Sequence, residues 1–567
     1  MSGELQETEW IVKQAPEGYS PGDGPGGLPA ILRLLLAQRG YLDSGAVQSF
    51  LRPQLRELSD PFELPEMRPA VDRILRAADA GETVCIFGDY DVDGVTSITI
   101  LRWILRAYGL DPQSFIPIRG EEGYGLSEAA LERCLDSAER PSLLIAVDCG
   151  TASGAPIERL QNEGIDVIVV DHHELPAAGR PPALAVVNPK LGEDFGYLCS
   201  AGVVFKLAHA LLKTRARPAV DLKDLLDLVA VATIADIVPL VGENRLMVRH
   251  GLKRLPKTLN HGLRALMEVS GMNGHASSAD VGFRIGPRLN AAGRMDAPQD
   301  ALAALTADSR KAARALASLL DGYNRQRQKL EERIFNEAME ELEEGFDPQR
   351  DPVIVAGSRD WHPGVVGVVA SRLMRYFHVP SFVVSIDGDG LGKGSGRSIE
   401  GVSLVAAIEA CRGVLVAGGG HHMAAGISVR EERLADFREA FRSYVLDSTS
   451  PEQRRPRLYI DVEVPFGDLS LEFLNRYELL QPFGAGNPQP LFMSREVWLS
   501  GPPRRLKNRH LRLALRQGLH ERDAMFFGAG RRALPDPPWD VAFTIDRNVF
   551  RGRTSLQMCV RDIRRAR

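Results

Sequence analysis

Short apolar runs alternate with longer amphipathic segments through the first half of the chain. The runs at 83–87, 142–147 and 165–170 have the length and composition of buried strands. The segment 95–109 repeats its apolar positions at helical spacing, and 225–235 is an apolar helix. Short apolar strands that alternate with helices are typical of a parallel sheet covered on both faces. The pattern therefore predicts an α/β domain.

A long helix is predicted after this domain. Residues 309–344 carry apolar side chains at helical spacing, and Gly345 is a plausible stop. At 1.5 Å per residue this helix would be about 50 Å long, which suits a strut between two domains.

Two further domains are predicted beyond the helix. The apolar runs 352–357 and 381–386 indicate a second, smaller α/β domain that ends near Ser450. Residues 456–567 contain short alternating strands, which favour a small antiparallel barrel, and the OB-fold is the commonest nucleic-acid-binding barrel of that size.

The predicted organisation has five parts. In chain order they are a helical extension packed on the first α/β domain (1–75), the first α/β domain (76–300), the connecting helix (301–346), the second α/β domain (347–450) and the barrel (455–567).

Composition narrows the class of protein. The 567 residues are 44% hydrophobic and 25% charged, which is ordinary for a soluble globular protein. No apolar stretch approaches the roughly 20 residues of a membrane span, and the N-terminus lacks the basic start and apolar core of a signal peptide. We therefore expect a cytoplasmic protein without membrane contact. The six cysteines are scattered without a CxxC pair, which excludes a zinc ribbon.

The net charge of −5 hides an asymmetry along the chain. Residues 501–567 contain 16 Lys and Arg against six Asp and Glu. A basic terminal segment on an acidic protein indicates an anionic partner, most simply nucleic acid, although a solvated basic surface would look the same.

Carboxylates and imidazoles follow the predicted strands. They are Asp89, Asp91 and Asp93 after the first strand, Asp148 after the second, Asp171, His172 and His173 after the third, and Asp236 after the apolar helix. Ligands bind open parallel sheets at the carboxyl ends of the strands, so these side chains are expected to converge. Each feature alone has a simpler interpretation, such as a turn, a helix cap or a surface histidine.

Several carboxylates in one crevice repel each other unless cations neutralise them. Oxygen-rich sites with an imidazole suit manganese or magnesium, and a pair of such ions can polarise a phosphoryl group. The cluster therefore predicts a two-metal hydrolytic site. Asp171 is a candidate to orient the ring of His172 without binding a metal ion itself.

The ordered motifs resemble the DHH phosphoesterase superfamily and, within it, the RecJ family of bacterial single-strand-specific exonucleases. The likeness covers nearly the whole chain. It is carried by the segments GDYDVDGVTS, AVDCG, VDHHE, ATIADIVPL, GPRLNAAGRM, GGGHHMAAG and LLQPFGAGNPQPLF.

The resemblance implies a catalytic set. It comprises Asp91, Asp93, Asp148, His172, His173 and Asp236, all metal ligands except His173. Asp148 would bridge two ions, Mn²⁺ or Mg²⁺, and His173 would contact the scissile phosphate or protonate the leaving oxygen. Related pyrophosphatases have a histidine where this chain has Phe87, so Asp89 or water is expected to replace that ligand.

Residues for substrate binding are also implied. The glycine-rich GKGSGRS segment lacks the spacing of a nucleotide-binding P-loop, but its glycines and those near His421 permit close approach to a phosphate. By resemblance, Ser395, Arg397 and Arg119 would bind a 5′-phosphate and Tyr124 would stack on a base. Arg288, Asn290 and Arg294 would line the path of the strand.

The implied activity is metal-dependent 5′→3′ degradation of single-stranded DNA to mononucleotides, in DNA repair and recombination. We expect a monomer, and single-strand-binding protein as a partner is implied by the resemblance alone. Two alternatives stay open: a hydrolase of short RNA, cyclic dinucleotides or pyrophosphate, and a catalytically weak replication scaffold. The basic barrel argues against the first, and the complete motifs argue against the second.

Overall fold

The computed structural model describes residues 8–20, 27–118, 122–123, 125–137, 139–272, 274–343, 346–347, 350–550 and 552–566. These residues form two compact units. Apart from the first eight residues, the α/β unit comprises Ser59–Val238 and His250–Pro456. The barrel unit comprises Glu9–Leu58, Pro239–Arg249 and Arg457–Arg567.

The strands that the structure describes are, in chain order, β1 Glu9–Val12, β2 Val84–Gly88, β3 Gln113–Phe115, β4 Leu143–Val147, β5 Asp166–Val170, β6 Ala185–Val187, β7 Ile354–Ser358, β8 Ser381–Ile386, β9 Leu391–Arg397, β10 Ala417–Gly420, β11 Ala424–Arg430, β12 Arg457–Ile460, β13 Val462–Glu463, β14 Phe492–Leu499, β15 Arg504–Leu506, β16 His510–Gln517, β17 His520–Phe526, β18 Trp539–Phe550 and β19 Arg553–Arg565.

The longer helices are α1 Ala30–Ala37, α2 Ser44–Leu51, α3 Met67–Ala80, α4 Val92–Ala107, α5 Glu128–Ser137, α6 Gly154–Asn162, α7 Ser200–Thr214, α8 Leu226–Ala235, α9 Gly242–Arg254, α10 His261–Val269, α11 Gly286–Arg294, α12 Pro298–Leu305, α13 Arg310–Glu343, α14 Val366–Phe377, α15 Leu404–Ala410, α16 Leu434–Ser448 and α17 Leu471–Tyr477.

The first sheet of the α/β unit is five-stranded in the order β3-β2-β4-β5-β6, and every pairing is parallel. β2 and β4 are buried along their whole length, as their apolar sequences require. The predicted parallel sheet is therefore confirmed. Because β4 lies between β2 and β5, the segments that follow these three strands emerge side by side at one edge.

The second sheet has the order β10-β11-β9-β8-β7, with β7 and β8 parallel and the other pairings antiparallel. The GKGSGRS segment is strand β9, so it is neither a loop nor a turn. A Cβ at Gly396 would lie 2.4 Å from the ring of Phe382, which packs against Phe437 and Phe441 of α16. The glycine at position 396 thus makes room for a ring on one face of the sheet, while Ser395 and Arg397 point to the other.

Helix α13 spans 34 residues, close to the predicted bounds. Its first half packs on α10, α11 and α12. In its second half Ile334 and Ala338 are buried with Val366 and Val369 of α14. The helix therefore ties the two sheets of the α/β unit together.

The barrel closes as a ring of five strands in the order β14-β18-β19-β17-β16, with β16 pairing back to β14. Four of these pairings are antiparallel, but β17 and β19 are parallel. The predicted barrel is present, and the expectation of purely antiparallel pairing is wrong at that one junction.

The N-terminal helices α1 and α2 belong to the barrel unit. Leu32, Leu35 and Phe50 are buried in one core with Tyr477 and Phe492, and β1 pairs in parallel with β12. For Glu9–Leu58 this differs from the expectation that residues 1–75 pack on the first α/β domain. Helical spacing identifies the apolar face of α1 but not the surface that covers it. Within the described residues, no helix has the length and apolarity needed to cross a membrane.

A truncated variant that ends at Pro456 is expected to aggregate, because Leu32, Leu35 and Phe50 would lose their barrel cover. Each such side chain contributes about 1.5–3 kcal/mol through burial. Binding of the dye ANS and size-exclusion chromatography measure the effect. A second variant that also lacks residues 1–58 should bind less dye, and equal dye binding by both variants would contradict the assignment of α1 and α2.

Candidate active site

The loop between β2 and α4 carries the first group of carboxylates. Asp91 caps α4, since its Oδ1 accepts hydrogen bonds from the amides of Asp93 at 2.9 Å and Gly94 at 3.2 Å. A Cβ at Gly94 would lie 2.3 Å from the carbonyl oxygen of Asp89. The glycine thus lets the loop fold tightly enough to place Asp89, Asp91 and Asp93 together.

Asp93 is fixed by a second helix. Its two carboxylate oxygens accept from the amides of Ser200 at 2.7 Å and Ala201 at 2.8 Å, which form the first turn of α7. Amides at a helix N-terminus favour a negative charge, so α7 holds this buried carboxylate in one orientation.

His172 lies at the centre of the cluster. Its ring Nε2 is 3.6 Å from Asp148 Oδ1, 3.6 Å from Asp236 Oδ2 and 3.9 Å from Asp93 Oδ2. The structure therefore brings side chains from four distant segments to one point, as the sequence predicts.

Three overlapping groups have ligand atoms within 4.8 Å of one another. They are Asp89, Asp91 and Asp148; Asp93, His172 and Asp236; and Asp148, His172 and His173. Asp148 belongs to two of them, and its Oδ1 lies 3.6 Å from Nε2 of His172, which belongs to the remaining group. This is the arrangement that a residue shared by two ions requires.

The backbone of Asp148 is strained. Its φ is 59°, in the left-handed region that non-glycine residues rarely adopt, although Asp and Asn tolerate it best. Strain of this kind persists where the surroundings demand one geometry. Here it places the Asp148 carboxylate directly after β4, among the other acidic groups.

The Asp171 carboxylate contacts the ring of His173 rather than the ring of His172. Its Oδ1 lies 2.7 Å from His173 Nδ1, and its Oδ2 accepts from the amide of Thr151 at 3.1 Å. The expectation that Asp171 orients the His172 ring is therefore wrong. The carboxylate contacts only the backbone amide of His172, at 2.7 Å.

The acidic groups have perturbed pKa values. Burial and the neighbouring carboxylates raise the pKa of Asp93, raise that of Asp148 well above its usual range, and raise that of Asp236 to about 8. Asp148 Oδ1 and Asp236 Oδ2 are buried without a hydrogen-bond partner in the described part of the chain. The buried carboxylates thus require a positive charge to stabilise their ionised form.

The two histidines differ in charge state. Burial lowers the pKa of His172, so its ring is neutral near pH 7 and able to act as a ligand. Burial also opposes the charge on His173, but the hydrogen bond and the charge of Asp171 outweigh it and raise its pKa to about 9. His173 is therefore a cation beside the acidic cluster.

Two supporting features were not anticipated from sequence, one residue and one helix turn. Asn188, which follows β6 and is fully buried, donates to the carbonyl of His173 at 2.9 Å and to the hydroxyl of Thr151 at 3.0 Å. The first turn of α7 is the other missed element. A polar residue directly after a buried strand is the signal that would have identified Asn188.

The residues predicted to line the strand path have contacts within the protein. Asn290 accepts from the amide of Val92 at 3.2 Å and so positions the first motif. Arg288 pairs with Asp321 of α13 at 2.9 Å, and Arg294 donates to the carbonyl of Gly364 at 2.9 Å. Their predicted contacts with a nucleic acid strand stay predictions.

Ser395 and Arg397 lie together on β9, with Arg397 Nη1 3.0 Å from Ser395 Oγ. A Cβ at Gly367 would lie 2.9 Å from Ser395 Oγ and 3.2 Å from Arg397 Nη2. Gly367 belongs to the first turn of α14, so a guanidinium, a hydroxyl and a helix N-terminus meet at one place.

His421 lies in the turn between β10 and β11 and is exposed. Its charge helps to lower the pKa of Glu174, although the ion pair of Glu174 with Lys190 is the larger cause. The glycine-histidine turn of the second sheet therefore lies near the segment that follows His173. Arg119 and Tyr124 lie outside the described residues.

Without metal, stability is expected to fall as pH rises from about 4 to about 8. The folded pKa of Asp236 is raised to about 8 and those of Asp93 and Asp148 are also raised, so the folded state holds protons that the unfolded state has released. Mn²⁺ should replace those protons, so the gain in Tm on adding Mn²⁺ should grow with pH.

Differential scanning fluorimetry from pH 5 to 8.5, in EDTA or Mn²⁺, measures this gain. The variant Asp148→Asn, which removes one of the competing charges, should show a flatter profile in EDTA. A gain in Tm that is the same at every pH would contradict this account.

Three protein families match the sequence in chain order. The DHH family, N-terminal domain, matches residues 83–233, the DHHA1 domain matches 350–447, and the RecJ OB domain matches 460–562. These spans coincide with the first sheet, the second sheet and the barrel.

Individual known proteins also resemble this chain along nearly its whole length. A single-stranded-DNA-specific exonuclease RecJ of Dickeya dadantii is 35% identical over 94% of this chain and 96% of its own length. The crystal structure of RecJ from Thermus thermophilus in complex with Mn²⁺ superposes with a TM-score of 0.84 at 32% identity, over 99% of this chain and 80% of that one. The Mg²⁺ complex gives a TM-score of 0.79 at 30% identity, over 99% and 79%.

Proposed function

We propose, because this chain belongs to the RecJ family, that its carboxylate–imidazole cluster hydrolyses phosphodiester bonds of single-stranded DNA as an exonuclease. The observation that carries the proposal is that His172 Nε2 lies 3.6 Å from both Asp148 Oδ1 and Asp236 Oδ2 at the carboxyl edge of the first sheet. The RecJ OB domain match at 460–562 favours a polymeric substrate over a dinucleotide.

The residues present fit a pair of divalent ions. Asp148 Oδ1 and Asp236 Oδ2 are buried acceptors that lack a donor in the described part of the chain, and the ligands are oxygens with one neutral imidazole, which suits Mn²⁺ or Mg²⁺. Asp89, Asp91 and Asp148 would hold one ion, and Asp93, His172 and Asp236 the other, with Asp148 shared. When bound, the ions supply Lewis-acid polarisation of the phosphodiester and stabilise charge on the attacking and leaving oxygens.

His173 is proposed to act on the phosphate directly. The Asp171 carboxylate fixes its Nδ1, so Nε2 carries the second proton. A protonated ring beside the cluster can bind the negative phosphate and give its proton to the leaving 3′ oxygen. Asp171 then stabilises the ring without itself taking up a proton.

The 5′ end of the strand is proposed to bind at Ser395 and Arg397. The guanidinium, the hydroxyl and the first turn of α14 form a site suited to a terminal phosphate. His421 and Arg119 are proposed as further phosphate contacts, and Tyr124 as a stacking residue. Arg288, Asn290 and Arg294 are proposed to line the strand. A phosphate pocket for the 5′ end would give 5′→3′ degradation and release mononucleotides.

Four broader properties belong to the same proposal. We propose that the protein acts as a monomer in the cytoplasm, in DNA repair and recombination, and that single-strand-binding protein is a partner. The basic barrel is proposed to hold the incoming strand through its phosphates, so binding should weaken as salt rises.

The test uses single-stranded DNA labelled at its 3′ end and incubated with the protein and Mn²⁺. A ladder of progressively shorter labelled products, with a matched blunt duplex and a matched RNA spared, supports the proposal. Immediate release of a labelled mononucleotide would reverse the proposed polarity. A strand with a 5′-phosphate should be cut faster than one with a 5′-hydroxyl, and Arg397→Gln should remove that preference.

A further inference from the structure

Two large apolar side chains are exposed near the C-terminal end of α8. Ile237 is 74% exposed and Phe283 is 83% exposed. Isolated exposed apolar residues are common on protein surfaces and need no explanation. These two differ because Ile237 directly follows Asp236 of the cluster, because Phe283 lies on a turn that packs on the same helix end, and because the backbone of Ile237 is strained.

Ile237 follows Asp236 directly and has a φ of 62°. A β-branched residue in the left-handed region is an outlier, because its Cβ crowds the neighbouring carbonyl. Glycine or asparagine at this position would avoid much of that cost, and neither would present an apolar side chain. The strain therefore accompanies an exposed apolar group one residue from a candidate metal ligand.

Phe283 projects from a π-helical turn, Val281–Ile285, which precedes α11. Turns of this kind are rare and occur often at functional sites. Val281 and Ile285 are fully buried and anchor the turn, whereas Phe283 points to solvent. The ring is thus exposed on a rigid base.

The two elements are in contact. A Cβ at Gly286 would lie 3.5 Å from Ala235 Cβ, and one at Gly282 would lie 3.9 Å from Ile234 Cγ2. The π-helical turn therefore packs on the end of α8, from which Asp236 reaches the cluster. Two arginines lie on or just after the same turn, and both are ion-paired, Arg284 with Asp280 at 3.5 Å and Arg288 with Asp321 at 2.9 Å.

We propose that Ile237 and Phe283 form an apolar platform for an unpaired nucleobase of the strand whose phosphodiester is cleaved. The proposal rests on the function proposed above and specifies which part of the substrate these residues contact. Every base has an apolar face, so such a platform binds without regard to sequence. A base inside a duplex is already stacked and paired, so the platform would favour single strands.

A protein partner fits this surface less well. A stable protein interface takes about 20–30 residues from each side. The exposed apolar surface at this place consists of two side chains, one of which directly follows Asp236 of the carboxylate–imidazole cluster.

The test combines side-chain variants with abasic substrates. Single abasic sites are placed at successive positions from the 5′ end of a 3′-labelled strand, and KM and kcat are measured for the wild type, Phe283→Ala and Ile237→Asn. The wild type should show a rise in KM of about tenfold at one abasic position. Both variants should show that rise with the intact strand and no further rise with the abasic one, and kcat should change less than KM.

Leu446→Ala is the matched control. Leu446 is an exposed apolar residue on α16, which packs on the face of the second sheet opposite Ser395 and Arg397. This variant should keep the wild-type kinetics and the wild-type response to abasic sites.

Folding is tested separately from binding. Phe283→Ala removes an exposed ring and should leave Tm unchanged, and Ile237→Asn relieves backbone strain and should keep or raise Tm. If wild-type protein cuts no single-stranded DNA, the proposed function fails and the platform with it. If it cuts DNA but responds to no abasic position, or if the variants respond as the wild type does, the platform alone is overturned.

Discussion

Asp148→Asn is expected to lower the rate of single-stranded DNA cleavage by about 10³-fold or more while DNA binding persists. Asp148 belongs to two of the three groups of ligand atoms and lies 3.6 Å from His172 of the third, so we expect its charge to serve both proposed ions. Loss of several kcal/mol of transition-state stabilisation corresponds to this range. Asparagine tolerates the φ of 59° as well as aspartate does, so the fold should be retained.

The measurement compares cleavage with binding of a labelled strand, by fluorescence anisotropy, in the same Mn²⁺ buffer. Asp227→Asn is the control, because Asp227 is also a buried carboxyl of the α/β unit whose pKa is raised, chiefly by burial. It should keep wild-type activity. If Asp148→Asn cleaved DNA at even a tenth of the wild-type rate, the central role of this residue would be contradicted.

Asp171→Asn is expected to move the alkaline limit of activity to lower pH and to reduce kcat by about 10²-fold or more. Protonated His173 has a pKa of about 9, so activity that depends on this proton is present below pH 9 and is lost above it. Removal of the Asp171 charge removes the main cause that raises this pKa. The limit should therefore fall toward the usual histidine value of about 6.5.

A full pH profile of kcat separates this effect from a loss of structure. His173→Gln should have a low kcat with no alkaline limb of its own. The control Asp166→Asn replaces a carboxyl at the other end of β5 that pairs with Arg73, and its alkaline limb should match the wild type. An unmoved alkaline limb in Asp171→Asn would show that His173 is not the proton donor.

Local sequence patterns were sufficient to predict the central elements of the site. The apolar runs that form β2, β4 and β5 are buried on both faces. Because these neighbouring strands are parallel, the polar residues that follow them lie at the same edge of the sheet. The ends of the predicted strands thus brought Asp148 and His172 into one prediction, and Asp236 was added as the residue that follows the apolar helix.

Ring orientations and contacts between distant segments were harder to predict. The hydrogen bond that His173 donates to Asp171 depends on a ring orientation that sequence order does not encode, and the N-terminal turn of α7 approaches Asp93 from over 100 residues away. The sequence also did not show that the glycine-rich segment is strand β9, where Gly396 makes room for Phe382 in the middle of a sheet.

The partner of the N-terminal helices could not be read from their sequence either. Leu32, Leu35 and Phe50 mark an apolar face, and both the first sheet and the barrel offer apolar surfaces of their own. Only the tertiary structure distinguishes these, and it places the three residues in the barrel core.

The proposed activity depends most on two ions that share Asp148, and anomalous scattering at the manganese edge tests this directly. Crystals of the protein grown with Mn²⁺ should show two peaks about 3.5–4 Å apart. One should lie among Asp89, Asp91 and Asp148, and the other among Asp93, His172 and Asp236. A single peak, or peaks away from Asp148, would contradict the account.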